Sequence, residues 1–454
     1  MNLYHNLMQR SEEGKPIRIG LIGAGKFGSM FLAQARKTPG FQIIGVADLK
    51  LSTAHKTLTT LGWDHEQITV QTTSTRINDS ARLKKISLTE NTSALIESNL
   101  DVLIESTGNP EAGAAHAKAA IEAGHHVIMV TVESDALIGP VLSKQAKDAG
   151  VVYSMAYGDQ PALICELVDW ARISGFEVVA AGKGTKFLPE YHFSTPDTVW
   201  DYYGLSSSQA KQDHLNAKMF NSFIDGTKSA IEMCAVANAT GLGVSEYGLR
   251  FPPVRIDELA SVLKPAEHGG ILSEPGIVEV ISSVKRDGNP VPQNLRWGVY
   301  VTFKSSDPYT QQCFKQYGCH TDSSGEYAAL SRSHHLVGLE LGVSVASAVL
   351  LNQPTGTSTN FVADVAACAK RNLKAHETLD GEGGYTIFGR LMTAKESVQH
   401  AALPIGLASG AILKTDKSQG EIIRYRDVTV HSDPVLFHLR KQLEKLWSEN
   451  SEGD

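Results

Sequence analysis

An α/β fold opening on a doubly wound parallel sheet is what this sequence predicts, and three observations predict it. Residues 17–50 read IRIGLIGAGKFGSMFLAQARKTPGFQIIGVADLK: an apolar run, a glycine turn, a helical pattern, a second apolar run and an acid. Short apolar runs then alternate with alanine-rich helical patterns as far as Met155, the alternation expected of parallel strands with crossover helices. Beyond residue 160 that alternation stops. The middle reads as a mixed α+β domain and the end as a small β-rich module.

Each N-terminal element has a physical reason. Ile17–Ile22 is apolar throughout, as a strand buried on both faces must be. Gly23, Gly25 and Gly28 make a G-x-G-x-x-G turn around Lys26 and Phe27. The first glycine permits the tight turn, the second lets backbone approach a pyrophosphate, and the third lets helix and strand pack closely. The helix that follows, near 30–36, offers its amides and dipole to phosphates. Phe41–Ala47 is the second strand, and Asp48, 20 residues past Gly28, is placed to accept hydrogen bonds from a ribose. Strand, helix and acid in this order separate a dinucleotide fingerprint from a glycine turn that binds nothing, so this is a Rossmann-type sheet. Strands follow at 101–105, 126–130 and 151–155, with helices at 111–123 and 137–149 between them. Their carboxyl-end loops, carrying Thr107, Gly108 and Thr131, line the expected cofactor crevice.

The expected domains are 1–160 (dinucleotide binding), 161–352 (catalytic) and 353–454 (a C-terminal helical and β-rich module). The middle region predicts a helix at 162–174 and a strand at 177–181 running into a glycine-rich turn, GKGTKF. A polar, aromatic loop follows at 189–204, then a helix from Asn221 to about residue 239. Frequent Pro and Gly make 251–294 loops with short strands. A strand is expected at 297–303 and a helix at 334–351. In the last part, 361–373 reads as an amphipathic helix and 403–426 as short strands around turns.

Composition narrows the function classes. The chain has 454 residues, 42% hydrophobic and 20% charged, as in a globular protein. A net charge of −7 without a dense basic run gives nucleic acid no footprint. The N-terminal stretch lacks the apolar region of a signal peptide, and no apolar run is long enough for a membrane span. The expected location is cytoplasmic. Cysteines 165, 234, 313, 319 and 368 are scattered. The 313/319 spacing fits no common zinc pattern, and reduced thiols are expected.

A dehydrogenase needs polar groups facing the cofactor, and three clusters supply candidates. Lys183 and Lys186 follow a strand end, where an ammonium can polarise a carbonyl or hold an alkoxide; they equally fit a solvated loop. Asn221, Asp225, Lys228 and Glu232, with Ser222 beside them, fall at i, i+4, i+7 and i+11 and share one face if the helix is continuous. That stripe is either catalytic or a solvated face. Ser331, Arg332, Ser333 and His334, followed by His335, suit a phosphate or carboxylate, or else a serine-capped helix start. His192 and His214 read as surface or structural residues. Asp225 and Glu232 are hard oxygen donors of the kind magnesium or manganese takes, but two carboxylates without a third do not define a metal site.

Three segments carry a family resemblance: GLIGAGKFGSMF; GKGTKFLPEYHFSTPDTVWDYYG with MFNSFIDGTKSAIEMCAVANATGL; and HHLVGLELGVSVASAVL with LPIGLASGAILKTDKSQGEIIRYRDV. Together they resemble the homoserine-dehydrogenase-like oxidoreductases that end in a SAF-type module, whose characterised branch is the deoxyxylulose 5-phosphate reductoisomerase-like (DRL) family. The resemblance makes the β-rich end SAF-like and the central domain catalytic and dimerising, and it implies a homodimer. It implies NADPH-dependent conversion of 1-deoxy-D-xylulose 5-phosphate to 2-C-methyl-D-erythritol 4-phosphate, a step of isoprenoid synthesis. Chemistry and spacing then give Lys186 and Lys228 the oxyanion roles, Asp225 or Glu232 proton transfer, and Arg332 with Ser331 and Ser333 the phosphate. NADP(H) is the expected cofactor and NAD(H) the alternative: Asp48 favours a free ribose, while Lys50, just beyond it, is available to a 2′-phosphate. The runner-up is an NAD(P)-dependent dehydrogenase of a polyol, sugar phosphate or hydroxy acid. A third reading, from another class, is a binding protein acting through the SAF-like end.

Overall fold

Apolar strands that must hide both faces, each followed by a helix that covers one of them, build the first half of the molecule. The protein is described by a computed structural model covering residues 2–212, 215–431 and 433–451; His214 lies outside the described residues. The chain divides into two compact units, 1–163 with 336–359 and 164–335 with 360–454. Residues 336–352, expected in the middle domain, and 353–359, expected in the C-terminal module, thus group with the N-terminal unit.

The first unit carries seven parallel strands: β1 (Ile17–Ile22), β2 (Phe41–Ala47), β3 (Ile68–Val70), β4 (Ile86–Thr89), β5 (Val102–Glu105), β6 (His126–Met129) and β7 (Tyr153–Met155). Their spatial order is β3-β4-β2-β1-β5-β6-β7. The order reverses between β1 and β5, and the crevice outside the carboxyl ends of those two strands is where such sheets bind ligands. Residues 51–100 contribute β3, β4 and three helices that the hydrophobic pattern does not announce. The helix expected over 334–351 is reduced to Gly342–Ala346, continued by a wide turn at Ser347–Leu351. There Ser344 accepts from the Tyr157 amide at 2.8 Å and donates to the Met155 carbonyl at 3.2 Å, which ties this segment to the end of β7.

The second unit is built on a five-stranded sheet of β8 (Glu177–Thr185), β9 (Ile277–Ser282), β10 (Val299–Lys304), β11 (His320–Thr321) and β12 (Tyr327–Arg332), ordered β11-β12-β10-β8-β9. Only β8 and β9 run parallel. An antiparallel ribbon, β13 (Ala363–Ala369) and β14 (Ile387–Thr393), forms a separate layer, and the helix Thr227–Thr240 packs against β9 and both ribbon strands. This explains why that helix is apolar nearly all round: almost every residue from Thr227 to Asn238 is buried.

Two sequence expectations are corrected here. The amphipathic helix over 361–373 is strand β13. Ala363–Ala369 is buried on both faces, and a short, fully buried apolar run carries no periodicity that separates helix from strand. The continuous helix through 221–239 is two helices, Ala217–Ile224 and Thr227–Thr240, broken at Gly226 with φ +85°, a conformation that glycine adopts without steric cost. The C-terminal stretch 403–426 does consist of turns and isolated bridges to β13 and its flanks, with one short pair, β15 (Ile412–Leu413) and β16 (Val428–Thr429). The helix Pro434–Ser451 is anchored by Arg440, whose buried guanidinium forks onto Asp364 of β13 at 2.5 and 3.1 Å.

Candidate functional site

The carboxyl ends of β1, β2 and β5 shape the crevice of the first unit. Gly23 has φ +95°, and a Cβ at Gly28 would collide with the Gly23 carbonyl, so the turn is closed in the way a dinucleotide fingerprint requires. Above Gly25 the space is open, with nothing within 4 Å of a built Cβ, the condition for close approach of a phosphate to backbone. Lys26 is exposed and Phe27 packs into the sheet's core. Asp48 accepts from the Ala24 amide at 2.9 Å and from the Lys50 amide at 2.8 Å. Its carboxylate is therefore fixed against the glycine turn, and Lys50 stands exposed beside it.

At the end of β5, Glu105 organises the second wall. It is fully buried and accepts from Thr107 Oγ1 at 2.6 Å and from the Thr131 hydroxyl, with His116 Nδ1 3.4 Å away. Thr131 in turn accepts from the Gly108 amide at 3.0 Å. Thr107, Gly108 and Thr131, expected along the crevice, are held together by this carboxylate. Glu105 itself was not singled out by sequence; its signal is an acid closing an apolar run directly before Ser-Thr-Gly.

In the second unit the polar stripe folds differently from the expectation. The break at Gly226 puts Asn221 and Ser222 on one helix and Lys228 and Glu232 on the next, with Asp225 in the turn. Asn221 is fully engaged: its carbonyl accepts from the Ser194 hydroxyl at 2.7 Å and its amide donates to the Ser194 and Gly383 carbonyls. Ser222 donates back to the Met219 carbonyl at 2.8 Å. Both are structural pins rather than open substrate ligands. Asp225 lies 2.7 Å from the ammonium of Lys370, which also donates to the Ser194 and Gly384 carbonyls at 2.7 Å. Lys370 belongs to the mis-assigned 361–373 segment and was missed for that reason.

Lys183 is not a loop lysine, because β8 runs on to Thr185. It is buried and ion-paired with Glu232. Asp225 and Glu232, expected to transfer a proton, are each buried beside a lysine. Among the described residues no group of three or more His, Cys, Asp or Glu is placed to hold a metal ion. All five cysteines are free thiols.

The third cluster is divided by strand geometry. Ser331 and Arg332 are successive residues of β12, pairing with Tyr300 and Val299, so their side chains project to opposite faces of the sheet. Ser333 and His334 lie beyond the strand, exposed, and bond to each other at 2.9 Å. The four do not form one phosphate cradle.

Two of the expected lysines are partly exposed: Lys186, just past β8, and Lys228, in the first turn of its helix. His192 packs against the turn before Lys228. Its Nδ1 lies 2.8 Å from the Asp225 carbonyl, and its ring stacks on Phe388 with centroids 4.7 Å apart and meets Phe187 edge-on. A carbonyl only accepts, so Nδ1 carries the hydrogen and Nε2 keeps its lone pair. Burial holds this imidazole's pKa below its ordinary value, with nearby Lys370 and Arg390 adding to the effect and the Asp225 contacts opposing it. Of the two readings offered for it, surface or structural, the packed ring fits the structural one.

Two family models match separate segments of the chain. Residues 17–129 match the oxidoreductase family with an NAD-binding Rossmann fold. Residues 158–341 match the catalytic domain of oxidoreductase DRL. No curated protein matches the chain. Among solved structures, biliverdin reductase from Synechocystis sp. PCC 6803 is 18% identical over 38% of this chain and 48% of its own, with a TM-score of 0.26. An NAD-binding oxidoreductase from Klebsiella pneumoniae is 19% identical over 38% and 43%, with a TM-score of 0.27. The oxidoreductase YvaA from Bacillus subtilis is 12% identical over 74% and 89%, with a TM-score of 0.37. The chain thus spans less than half the length of the first two. Both family matches describe oxidoreductases, one through its NAD-binding Rossmann fold and the other through a catalytic domain. No helix among the described residues is long and apolar enough to cross a membrane.

Proposed function

We propose that this oxidoreductase rearranges and reduces a phosphorylated ketose, with 1-deoxy-D-xylulose 5-phosphate as substrate, NADP(H) as cofactor and 2-C-methyl-D-erythritol 4-phosphate as product, and that it does so as a cytoplasmic homodimer. The observation that carries the reading is the DRL catalytic match over 158–341, which contains the 225–228 turn with its lysine and the GKGTKF strand end. Rearrangement of the ketose gives an isomeric branched aldehyde, and its reduction takes one hydride and one proton. The dinucleotide, when bound along the β1–β5 crevice, supplies the hydride. The chain's own task is to hold negative oxygen and to move a proton. Lys228, in the first turn of its helix, combines an ammonium with the positive end of the helix dipole, a setting that stabilises an oxyanion. His192, with its Nδ1 hydrogen held by the Asp225 carbonyl and its Nε2 lone pair retained, is the proton carrier.

The test is substrate-dependent NADPH oxidation by the purified protein, with the product identified by NMR. Formation of methylerythritol phosphate supports the proposal. Turnover only in the oxidative direction, with polyols or hydroxy acids and NAD(P)⁺, replaces it with the catabolic dehydrogenase reading.

A further inference from the structure

We propose that Lys186 and Arg296 form the subsite that holds the dianionic phosphate of the substrate. The inference rests on the sugar-phosphate reading above, but it has its own geometry. The end of β8 runs against residues 295–298. The Gly184 amide donates to the Gly298 carbonyl at 3.0 Å, and a Cβ at Gly184 would collide with the Leu295 carbonyl and stand 3.0 Å from the Arg296 amide. Only glycine allows that approach, and two residues later the chain reaches Lys186.

Arg296 is held by aromatic rings. Its guanidinium carbon lies 5.4 Å from the Tyr203 ring centroid and 4.7 Å from that of Trp297. Tyr203 is itself braced edge-on by Phe220, with centroids 4.9 Å apart. These rings position the guanidinium, whose several N–H donors suit a planar or tetrahedral oxyanion. The neighbouring ammonium of Lys186 donates to the Tyr202 carbonyl, which anchors it without neutralising it. Burial holds the Lys186 pKa below its ordinary value, and the Arg296 charge beside it pushes in the same direction.

What makes this pair a binding site is the missing counter-charge. The buried lysines of this unit each have a carboxylate: Lys183 has Glu232, Lys370 has Asp225, Lys264 has Asp322 and Lys417 has Asp427. No ion pair of Lys186 or Arg296 with a described carboxylate is present. Two adjacent cations that repel each other and find no anion within the protein are stabilised when one arrives from solution. The pair also supplies what the Ser331–His334 cluster, split by its strand, does not.

Calorimetric titration of the full-length protein with inorganic phosphate tests this, at fixed ionic strength and with NADP⁺ saturating so that the glycine turn is occupied. Saturable binding is expected, weakened at least tenfold in Arg296→Met and in Lys186→Met. Arg296→Lys, which keeps the charge and loses the planar guanidinium, should not restore it. Lys285→Met, at an exposed lysine, is the control. Circular dichroism melts establish that the variants fold. No saturable binding in the wild type, or undiminished binding in folded Arg296→Met, overturns the subsite. Because the titration contains no sugar, Arg296-dependent phosphate binding without sugar-phosphate turnover would retain the subsite and discard the reductoisomerase reading.

Discussion

Asp225 and Lys370 form a sealed ion pair, 2.7 Å apart, with side chains 0% and 2% exposed. The lysine comes from the end of the β13 ribbon strand and the aspartate from the break between two helices, so one contact ties the C-terminal part of the chain to the 225–228 turn. Removing one partner of such a pair leaves a buried charge without compensation, which typically costs about 3–5 kcal/mol. Asp225→Asn and Lys370→Met should each lower stability by roughly that amount in urea unfolding. The double variant Asp225→Leu/Lys370→Met should recover much of the loss. Additive losses in the double variant would show that the two do not act as a pair.

We propose that Asp48 governs the choice of dinucleotide. Its carboxylate is pinned by two backbone amides at the end of β2, the position from which a fingerprint acid meets the ribose. Asp48→Ser removes that negative charge, so the ratio of kcat/KM for NADPH over NADH should rise at least tenfold. An unchanged ratio would place the ribose away from β2.

Glu279 gives the second unit a pH signature. Buried on β9, it accepts from the amides of Arg250, Phe251 and Val280, and burial outweighs these bonds to push its pKa from 4.5 up to about 7. The folded state holds this proton more tightly than the unfolded chain does. The stability that Glu279 contributes is therefore full below pH 4.5 and is lost as pH rises through about 7. The total is roughly 3 kcal/mol. Glu279→Gln, which mimics the protonated acid, should abolish most of this decline in melts taken across that window. A decline that survives the substitution would assign it elsewhere.

His192 carries the opposite sign. Its folded pKa lies below 6.5, so the unfolded chain takes up the proton first, and stability is lost as pH falls below 6.5. Activity should hold on the acid side down to the same depressed value if His192 moves the proton. His192→Asn should remove the acid limb of the kcat profile and lower kcat by about 10²–10⁴-fold. An unaltered profile would reduce His192 to a packing residue.

Much of this was legible in the sequence, and the failures have physical causes. The strand–turn–helix–strand around Gly23–Asp48 was readable because each glycine answers a separate steric demand and the strands are apolar on both faces. β4 was not, because Ser87 and Thr89 are fully buried polar residues in a four-residue strand. The 221–232 spacing suggested one stripe on one helix, and a single left-handed glycine at 226 undid it. Strand β13 hid because a run buried on all sides has no periodicity, and Lys370 went with it. Arg296 escaped notice because an arginine beside a tryptophan becomes informative only once Tyr203, 93 residues away in sequence, is brought beside it.

The measurement that tests the account most directly is the turnover of Lys228→Ala with 1-deoxy-D-xylulose 5-phosphate and NADPH, alongside its affinity for dinucleotide. Loss of one oxyanion-stabilising group typically costs about 10²–10³ in kcat. The account predicts a fall of that size with dinucleotide affinity and melting temperature unchanged. Near-normal turnover in this variant would contradict it and remove the 225–228 turn from the chemistry.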